Sequence, residues 1–256
     1  MTLLSVVVPV RNEESRLPAT LSGLAAALVA TGKPCEIVVV DNASTDRSAE
    51  IAREYGAPGV PIRLVRCEQP GKGAAVRVGV LRTDSRYVGF CDADLATDMA
   101  ALAATLRHLN TGVNVVVGSR AHPASNVDSR HSQVRRVGAW VFRRAANGIV
   151  PGITDTQCGY KFFDRHTADR IFQPLRTPGF SFDVELLARA QRIGSVIVEQ
   201  PVAWKDMPGS TFHPMRDGYR SFAALVAIRG ILGSRQPGER AQLPASPVIA
   251  PISEVA

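Results

Sequence analysis

The amino-acid sequence predicts an α/β fold with a mostly parallel central sheet flanked by helices. Three observations carry this reading. Short apolar runs bounded by turn residues recur through the first half, the pattern of strands buried on both faces. Amphipathic stretches at helical spacing stand between them. Polar loops then follow the strands at Pro9–Glu14, Asp41–Asp46 and Asp92–Asp94, at the carboxyl-end edge where open α/β sheets bind their ligands.

Taken in order, Leu3–Val10 reads as a buried strand, and Leu17, Leu21, Leu24 and Leu28 follow on one helical face up to Gly32, a C-cap residue. Glu36–Val40 is a strand, Ser44 and Asp46 are N-cap candidates for a helix reaching Tyr55, and Ile62–Cys67 is the next strand. The alternation continues with helix Gly73–Leu81, strand Tyr87–Cys91, helix Met99–Leu109 and strand Val113–Gly118. After that the rhythm breaks. A helix over Val137–Asn147 precedes an irregular segment holding Asp155–Phe163, then a helix Phe182–Ile193 closed by Gly194, a strand Val196–Pro201 and a helix Met215–Leu232. From Ser234 onward, four prolines in 23 residues and little periodicity predict a disordered tail. There is no internal repeat.

The chain has 256 residues, 45% hydrophobic and 21% charged, which excludes a disordered polymer and a coiled coil. No apolar run approaches a membrane span, and Met1–Ser5 lacks the basic flank of a secretory signal. Cys35, Cys67, Cys91 and Cys158 are far apart with no CxxC pair, the usage of buried thiols in a reducing compartment. A cytosolic location is therefore expected. The net charge of +7 is unevenly placed: Arg120, Arg130, Arg135, Arg136, Arg143 and Arg144 face a single acid, Asp128, in that stretch. Positive charge confined to one segment, with only 6% aromatic residues, argues against nucleic acid and for phosphate groups or an anionic membrane face.

The most specific local feature is Asp92-Ala93-Asp94, directly after a strand. Two carboxylates at i and i+2 where a strand leaves the sheet can turn to one divalent cation; a turn-capping pair would look the same. Asp41 and the segment Pro9-Val10-Arg11-Asn12-Glu13 end strands at the same edge. Gly71-Lys72-Gly73 opens a helix, so its lysine and backbone N–H groups suit an anion, although the Walker spacing is absent.

As a set, Pro9–Glu14, Asp41–Asp46, Gly71-Lys72-Gly73, Asp92-Ala93-Asp94 and Gly118-Ser119-Arg120 resemble, in order and spacing, the nucleotide-sugar half of family 2 glycosyltransferases. In the second half, Asp155–Lys161, Phe182–Leu187 and Trp204–Ser210 resemble the dolichyl- or polyprenyl-phosphate sugar synthases. The Asp-Thr-Gln-Cys-Gly string is more similar to their glucosyl branch than to the mannosyl one. The resemblance implies a GT-A fold in a single catalytic domain over residues 1–233, with a nucleotide-sugar half (1–120), an acceptor half (121–233) and a tail at 234–256. It implies that Asp92 and Asp94 hold Mg²⁺ or Mn²⁺ on the donor diphosphate. Asp41 would read the nucleobase, with Pro9, Arg11, Glu13, Lys72 and Ala93 in the same pocket. Arg120, Arg135, Arg136 and Ser210 would meet the acceptor phosphate. One departure stands out: the glucosyl relatives usually carry Gly-Ser-Lys where this chain has Gly209-Ser210-Thr211.

The expected reaction moves a hexose from a UDP-sugar, UDP-glucose or a UDP-N-acetylhexosamine, to polyprenyl monophosphate. A phosphate monoester is largely ionised at neutral pH, with a second pKa near ~6, so it needs no general base. In-line attack inverts the anomeric centre and gives a β-linked product. A hydroxyl acceptor would instead need a carboxylate base, for which Asp183 and Glu185 are the candidates; both also suit a helix N-terminus. The rivals are a GDP-mannose donor, a small phosphorylated acceptor, a non-catalytic sugar-nucleotide binder and a basic nucleic-acid-binding protein. Membrane contact is expected to be peripheral, on the inner face of the cytoplasmic membrane, or through a membrane protein partner. Trp140, Val141 and Phe142 with Phe222–Ile228 are the candidate apolar face.

Overall fold

The computed structural model describes residues 2–128, 133–207 and 214–233. Its centre is a seven-stranded sheet in the order β3-β2-β1-β4-β7-β5-β8. The strands are β1 Leu4–Val10, β2 Cys35–Asp41, β3 Ile62–Arg66, β4 Tyr87–Cys91, β5 Val115–Ser119, β7 Tyr160–Asp164 and β8 Ile197–Pro201. A second, two-stranded ladder pairs β6 Asn126–Asp128 with β9 Ala203–Lys205 in parallel. The helices are α1 Leu17–Ala30, α2 Ser48–Glu54, α3 Lys72–Leu81, α4 Leu102–Asn110, α5 Gln133–Asn147, α6 Arg165–Phe172, α7 Phe182–Arg192 and α8 Pro214–Gly233.

Strand alternation sends the side chains of β1 and β2 into two cores. Leu4, Val6, Val8, Ile37 and Val39 meet Leu17, Leu21, Leu24 and Leu28 of α1 on one face. Val7, Val38 and Val40 meet α3 and, beyond it, Phe172, Phe182 and Leu187 on the other. The four α1 leucines are fully buried, each contributing about 2 kcal/mol of transfer free energy. The mostly parallel sheet expected from the sequence is present. All its pairings are parallel except those of β7, which runs antiparallel between β4 and β5.

Several elements correct the sequence reading. The segment expected to be irregular contains β7, and α6 follows it at once. Asp164 ends β7 and caps α6, its carboxylate accepting from Thr167 N at 2.9 Å. Helix α2 begins at Ser48, later than a cap at Ser44 or Asp46 implies. Asp46 still satisfies a first-turn donor, accepting from Ser48 N at 3.0 Å. A short 3-10 turn, Met99–Ala101, precedes α4, with Asp98 accepting from Ala100 N. All four cysteines are free and buried, as expected. The predicted tail, 234–256, lies outside the described residues.

Candidate active site

The strand ends β1, β2 and β4 deliver their loops to one edge, and hydrogen bonds join the first two loops into one wall. Asn12 Oδ1 accepts from Thr45 N at 2.8 Å, Ser44 Oγ from Asn12 N at 3.1 Å, Ser48 Oγ from Glu13 N at 2.8 Å and Asp46 from Glu14 N at 3.0 Å. Among the described residues, the non-glycine positions with positive φ are Asn12 (56°), Ala43 (55°) and Leu95 (46°), one in each of the three loops. Left-handed backbone at Ala and Leu is strained, and such strain concentrates where a site needs it.

Pro9 and Glu13 are half-buried and Arg11 is exposed along this wall. Glu13 pairs with Arg16 at 2.6 Å. Burial raises the Glu13 pKa against the pull of Arg16, and Asp94 and Asp46 push it the same way. Asp41 is buried, and its Oδ1 accepts from Ser44 N at 3.1 Å. Asn42, which the sequence reading passed over, anchors the next loop. Its amide donates to Cys67 O and Gln69 O, and its Oδ1 accepts from Gly71 N at 2.8 Å.

That anchor presents Gly71-Lys72-Gly73. Gly71 has φ +127°, and a Cβ there would stand 2.2 Å from Pro178 O. Only glycine allows this approach, which brings the start of α3 against the segment leading to α7. Lys72 thereby reaches Asp92, Nζ to Oδ1 at 2.5 Å. Asp94 Oδ1 accepts from Ala96 N at 3.0 Å, and Ala93, buried between the two acids, accepts on its carbonyl from Thr20 Oγ1. Burial raises the Asp94 pKa and the charge of the neighbouring Asp92 adds to it.

Beneath the acid pair lies a buried charge pair. Lys161 Nζ is 2.7 Å from Asp183 Oδ1, with side chains 0% and 2% exposed, and donates to Cys158 O at 2.6 Å. Burial raises the Asp183 pKa while Lys161 and then Lys72 lower it. Glu185 is also fully buried; it accepts from Arg176 N, Thr177 N at 2.8 Å and Arg189 Nε at 2.9 Å. Neither acid therefore fits the expectation of an accessible base. Asp183 is a partner of lysines, and Glu185 ties α7 to the turn after α6.

Of the expected acceptor-phosphate residues, Arg120 is described in full. Its guanidinium grips Asp155 in a fork, Nε to Oδ2 at 2.7 Å and Nη2 to Oδ1 at 2.8 Å, and lies 5.6 Å from the Trp204 ring centre. Two of its donor directions are therefore committed inside the protein. Asp155 is buried, yet Arg120 outweighs that burial and holds the carboxyl down at about 2. Arg135 and Arg136 lie on α5, their side chains outside the described residues, as is the whole of Ser210. Asp155, Gly159 and Lys161 were legible only as letters of the string that carried the resemblance.

The described residues contain no cluster of three or more His, Cys, Asp or Glu side chains able to hold a metal ion. Asp92 and Asp94 nevertheless offer two hard-oxygen donors two positions apart at the end of β4, which suits Mg²⁺ or Mn²⁺ sharing its shell with a diphosphate and water. Gly159 keeps the space for one of them, since a Cβ there would lie 2.0 Å from Asp92 Oδ2. A separate cavity of about 480 Å³ is lined by Leu95, Ala96, Thr97 and Trp204 among others, and by neither acid of the pair.

The sequence model described as glycosyl transferase family 2 matches residues 5–172. The dolichyl-phosphate beta-glucosyltransferases of Dictyostelium discoideum and Homo sapiens are each 34% identical to this chain; the alignments cover 88% of it and 73% and 74% of theirs. A crystal structure of glucosyl-3-phosphoglycerate synthase from Mycobacterium tuberculosis, in complex with Mn²⁺, uridine diphosphate and phosphoglyceric acid, superposes with a TM-score of 0.69 at 20% identity. It covers 90% of this chain and 79% of that one. The fold is thus GT-A, a sheet with its acid pair at the β4 end. The chain belongs to glycosyltransferase family 2.

Proposed function

We propose that the chain transfers a glucosyl unit from UDP-glucose to a polyprenyl phosphate, giving a β-linked polyprenyl-phosphate glucose. The observation that carries this reading is the 34% identity over 88% of the chain to dolichyl-phosphate beta-glucosyltransferases. In this chain the loop after β4 carries the acid pair Asp92 and Asp94. The uridine diphosphate and Mn²⁺ in the neighbouring crystal structure make a UDP-sugar the first donor to test.

Asp92 and Asp94 are the residues that would hold Mg²⁺ or Mn²⁺, which when bound neutralises the leaving diphosphate. The wall built by Asn12, Asp41 and Ser44 would orient the nucleoside, and Lys72 would add positive charge near the diphosphate. The acceptor phosphate arrives ionised, so the protein's task is alignment and charge neutralisation. That agrees with Asp183 and Glu185 being buried and committed to cations.

The acceptor is a lipid, and no helix among the described residues is long and apolar enough to cross a membrane. Helices α5 and α8 pack together through Phe142 and Phe222, ring centres 5.6 Å apart. They leave Trp140 60% and Val226 72% exposed, with Arg143, Arg144 and Arg229 also exposed. Apolar tips beside arginines suit peripheral contact with an anionic membrane on the cytoplasmic side.

The test is incubation of purified protein with Mn²⁺, a polyprenyl monophosphate in detergent and separately labelled UDP-glucose, UDP-N-acetylglucosamine and GDP-mannose. Label from UDP-glucose should enter the butanol phase and be lost in Asp94→Asn. Label from GDP-mannose alone, or nucleotide release without a lipid product, would overturn the donor or the acceptor respectively.

A further inference from the structure

Lys72 contacts one carboxylate, Asp92, and feels the charge of a second, Asp183. Asp92 is partly open to solvent, its side chain 36% exposed, and is a candidate metal ligand. Asp183 is buried and already held by Lys161 at 2.7 Å. Two ion pairs, Lys161–Asp183 and Lys72–Asp92, thus stand near each other where the start of α3 packs on the start of α7, Gly73 against Phe182. With Asp94, two cations face three carboxylates. Burial works against a charged Lys72, yet Asp92 and then Asp183 hold its ammonium above the ordinary lysine range.

The location is otherwise poor for a lysine. Lys72 is the first residue of α3, the positive end of the helix dipole, where a cation is disfavoured. Its side chain is only 17% exposed. Something must compensate, and the two carboxylates do. A divalent cation on Asp92 would remove one of them and repel the ammonium, whereas the longer-range attraction of buried Asp183 would remain.

We propose that Lys72 is a resident counter-cation of the acid pair, releasing Asp92 to an incoming divalent cation while Asp183, pinned by Lys161, retains the ammonium beside the cleft. The inference rests on the reading of Asp92 and Asp94 as metal ligands. It makes Asp183 a positioning residue, acting through Lys72, and it gives Lys72 a role distinct from binding phosphate. Lysine is an apt choice: its ammonium is a compact point charge on a flexible stem, able to move between partners as a planar guanidinium fork would not.

The chain has only four lysines, Lys33, Lys72, Lys161 and Lys205, so ammonium NMR of the ¹⁵N-lysine-labelled full chain can follow each one. Adding Mg²⁺ with UDP should shift the Lys72 signal, assigned by its loss in Lys72→Arg, and leave Lys161 in place. A Lys72 signal that stays fixed while Mg²⁺ binds would overturn the exchange. In parallel, Mn²⁺ binding without nucleotide is read from the EPR signal of free Mn²⁺. Lys72→Met should bind Mn²⁺ at least about tenfold more tightly than the unaltered chain, since a competing cation has gone. Asp183→Asn should bind it more weakly, because Lys72 then depends on Asp92 alone. Equal or weaker binding by a folded Lys72→Met overturns the proposal; should that variant not fold, the Asp183→Asn and NMR results decide it. If the unaltered chain takes up no Mn²⁺ even with UDP, the metal reading itself fails.

Discussion

Gly159 and Asp92 share a space that admits only one side chain: a Cβ on Gly159 would lie 2.0 Å from Asp92 Oδ2 and 2.3 Å from Asp92 Cγ. The two residues are also joined through the backbone, Asp92 N donating to Gly159 O at 3.1 Å. The residue just before β7 therefore sets where Asp92 stands, although it comes some 70 positions later in the chain.

Gly159→Ala is expected to displace the Asp92 carboxylate. Transferase activity should fall by roughly 100-fold, as positioning losses of about 1 Å do, and Mn²⁺ affinity should fall with it. Far-UV circular dichroism checks that the sheet survives. Retained activity would mean that Asp92 moves without consequence.

Asn42→Ala should loosen the loop before α3, because three hydrogen bonds to Cys67, Gln69 and Gly71 disappear. Leaving those backbone groups without a partner costs about 1–3 kcal/mol. UDP affinity, measured calorimetrically, should weaken as Lys72 loses its fixed approach.

Glu185→Gln should be a stability variant. The carboxylate is fully buried with Arg189 and two backbone N–H groups, and breaking such a pair costs about 3 kcal/mol. A thermal midpoint lower by roughly 6–12 °C is expected, with turnover per folded molecule largely retained. Lost turnover in a protein of unchanged midpoint would return Glu185 to the chemistry.

Asp155 gives the fold an acid-sensitive joint. Its carboxyl is held at about 2, below the ordinary 3.8. A depressed carboxylate stabilises the folded state fully above the ordinary value and loses that contribution as pH falls from about 4 towards 2. The contribution is about 2 kcal/mol, toward the low end because Arg120 is partly exposed. In urea titrations between pH 5 and pH 2.5, the difference between the unaltered chain and Asp155→Asn should shrink as pH falls. A gap that stays constant would show that the pair does not titrate there.

Trp140→Ser combined with Val226→Asp should reduce sedimentation with phosphatidylglycerol vesicles while circular dichroism stays unchanged. Undiminished vesicle binding would place the membrane face elsewhere.

Much of this was readable in the chain. β1, β2 and β4 read as apolar runs because both of their faces are buried, Ser5 and Glu36 being hydrogen-bonded to each other, and the acids at their ends mark the ligand edge without any knowledge of long-range contacts. α6 was not read: it is only two turns long, and of its buried stripe, Thr167, Ala168, Ile171 and Phe172, only the last two are large and apolar. β7 was missed because Lys161 breaks its five-residue run at the second position. A lysine there is tolerable only because Asp183, 22 positions later, meets its charge in the interior. Asp183 and Glu185 illustrate the same limit: two acids on the first turn of a helix look alike in sequence, and their burial and partners separate them. By itself the sequence determined the layered α/β class, the family resemblance and the order of the polar loops, because those depend on local periodicity and spacing. The tertiary structure alone decided which carboxylates stay open to the cleft and which are committed to buried cations, since the field on a charge comes from groups that only folding brings near.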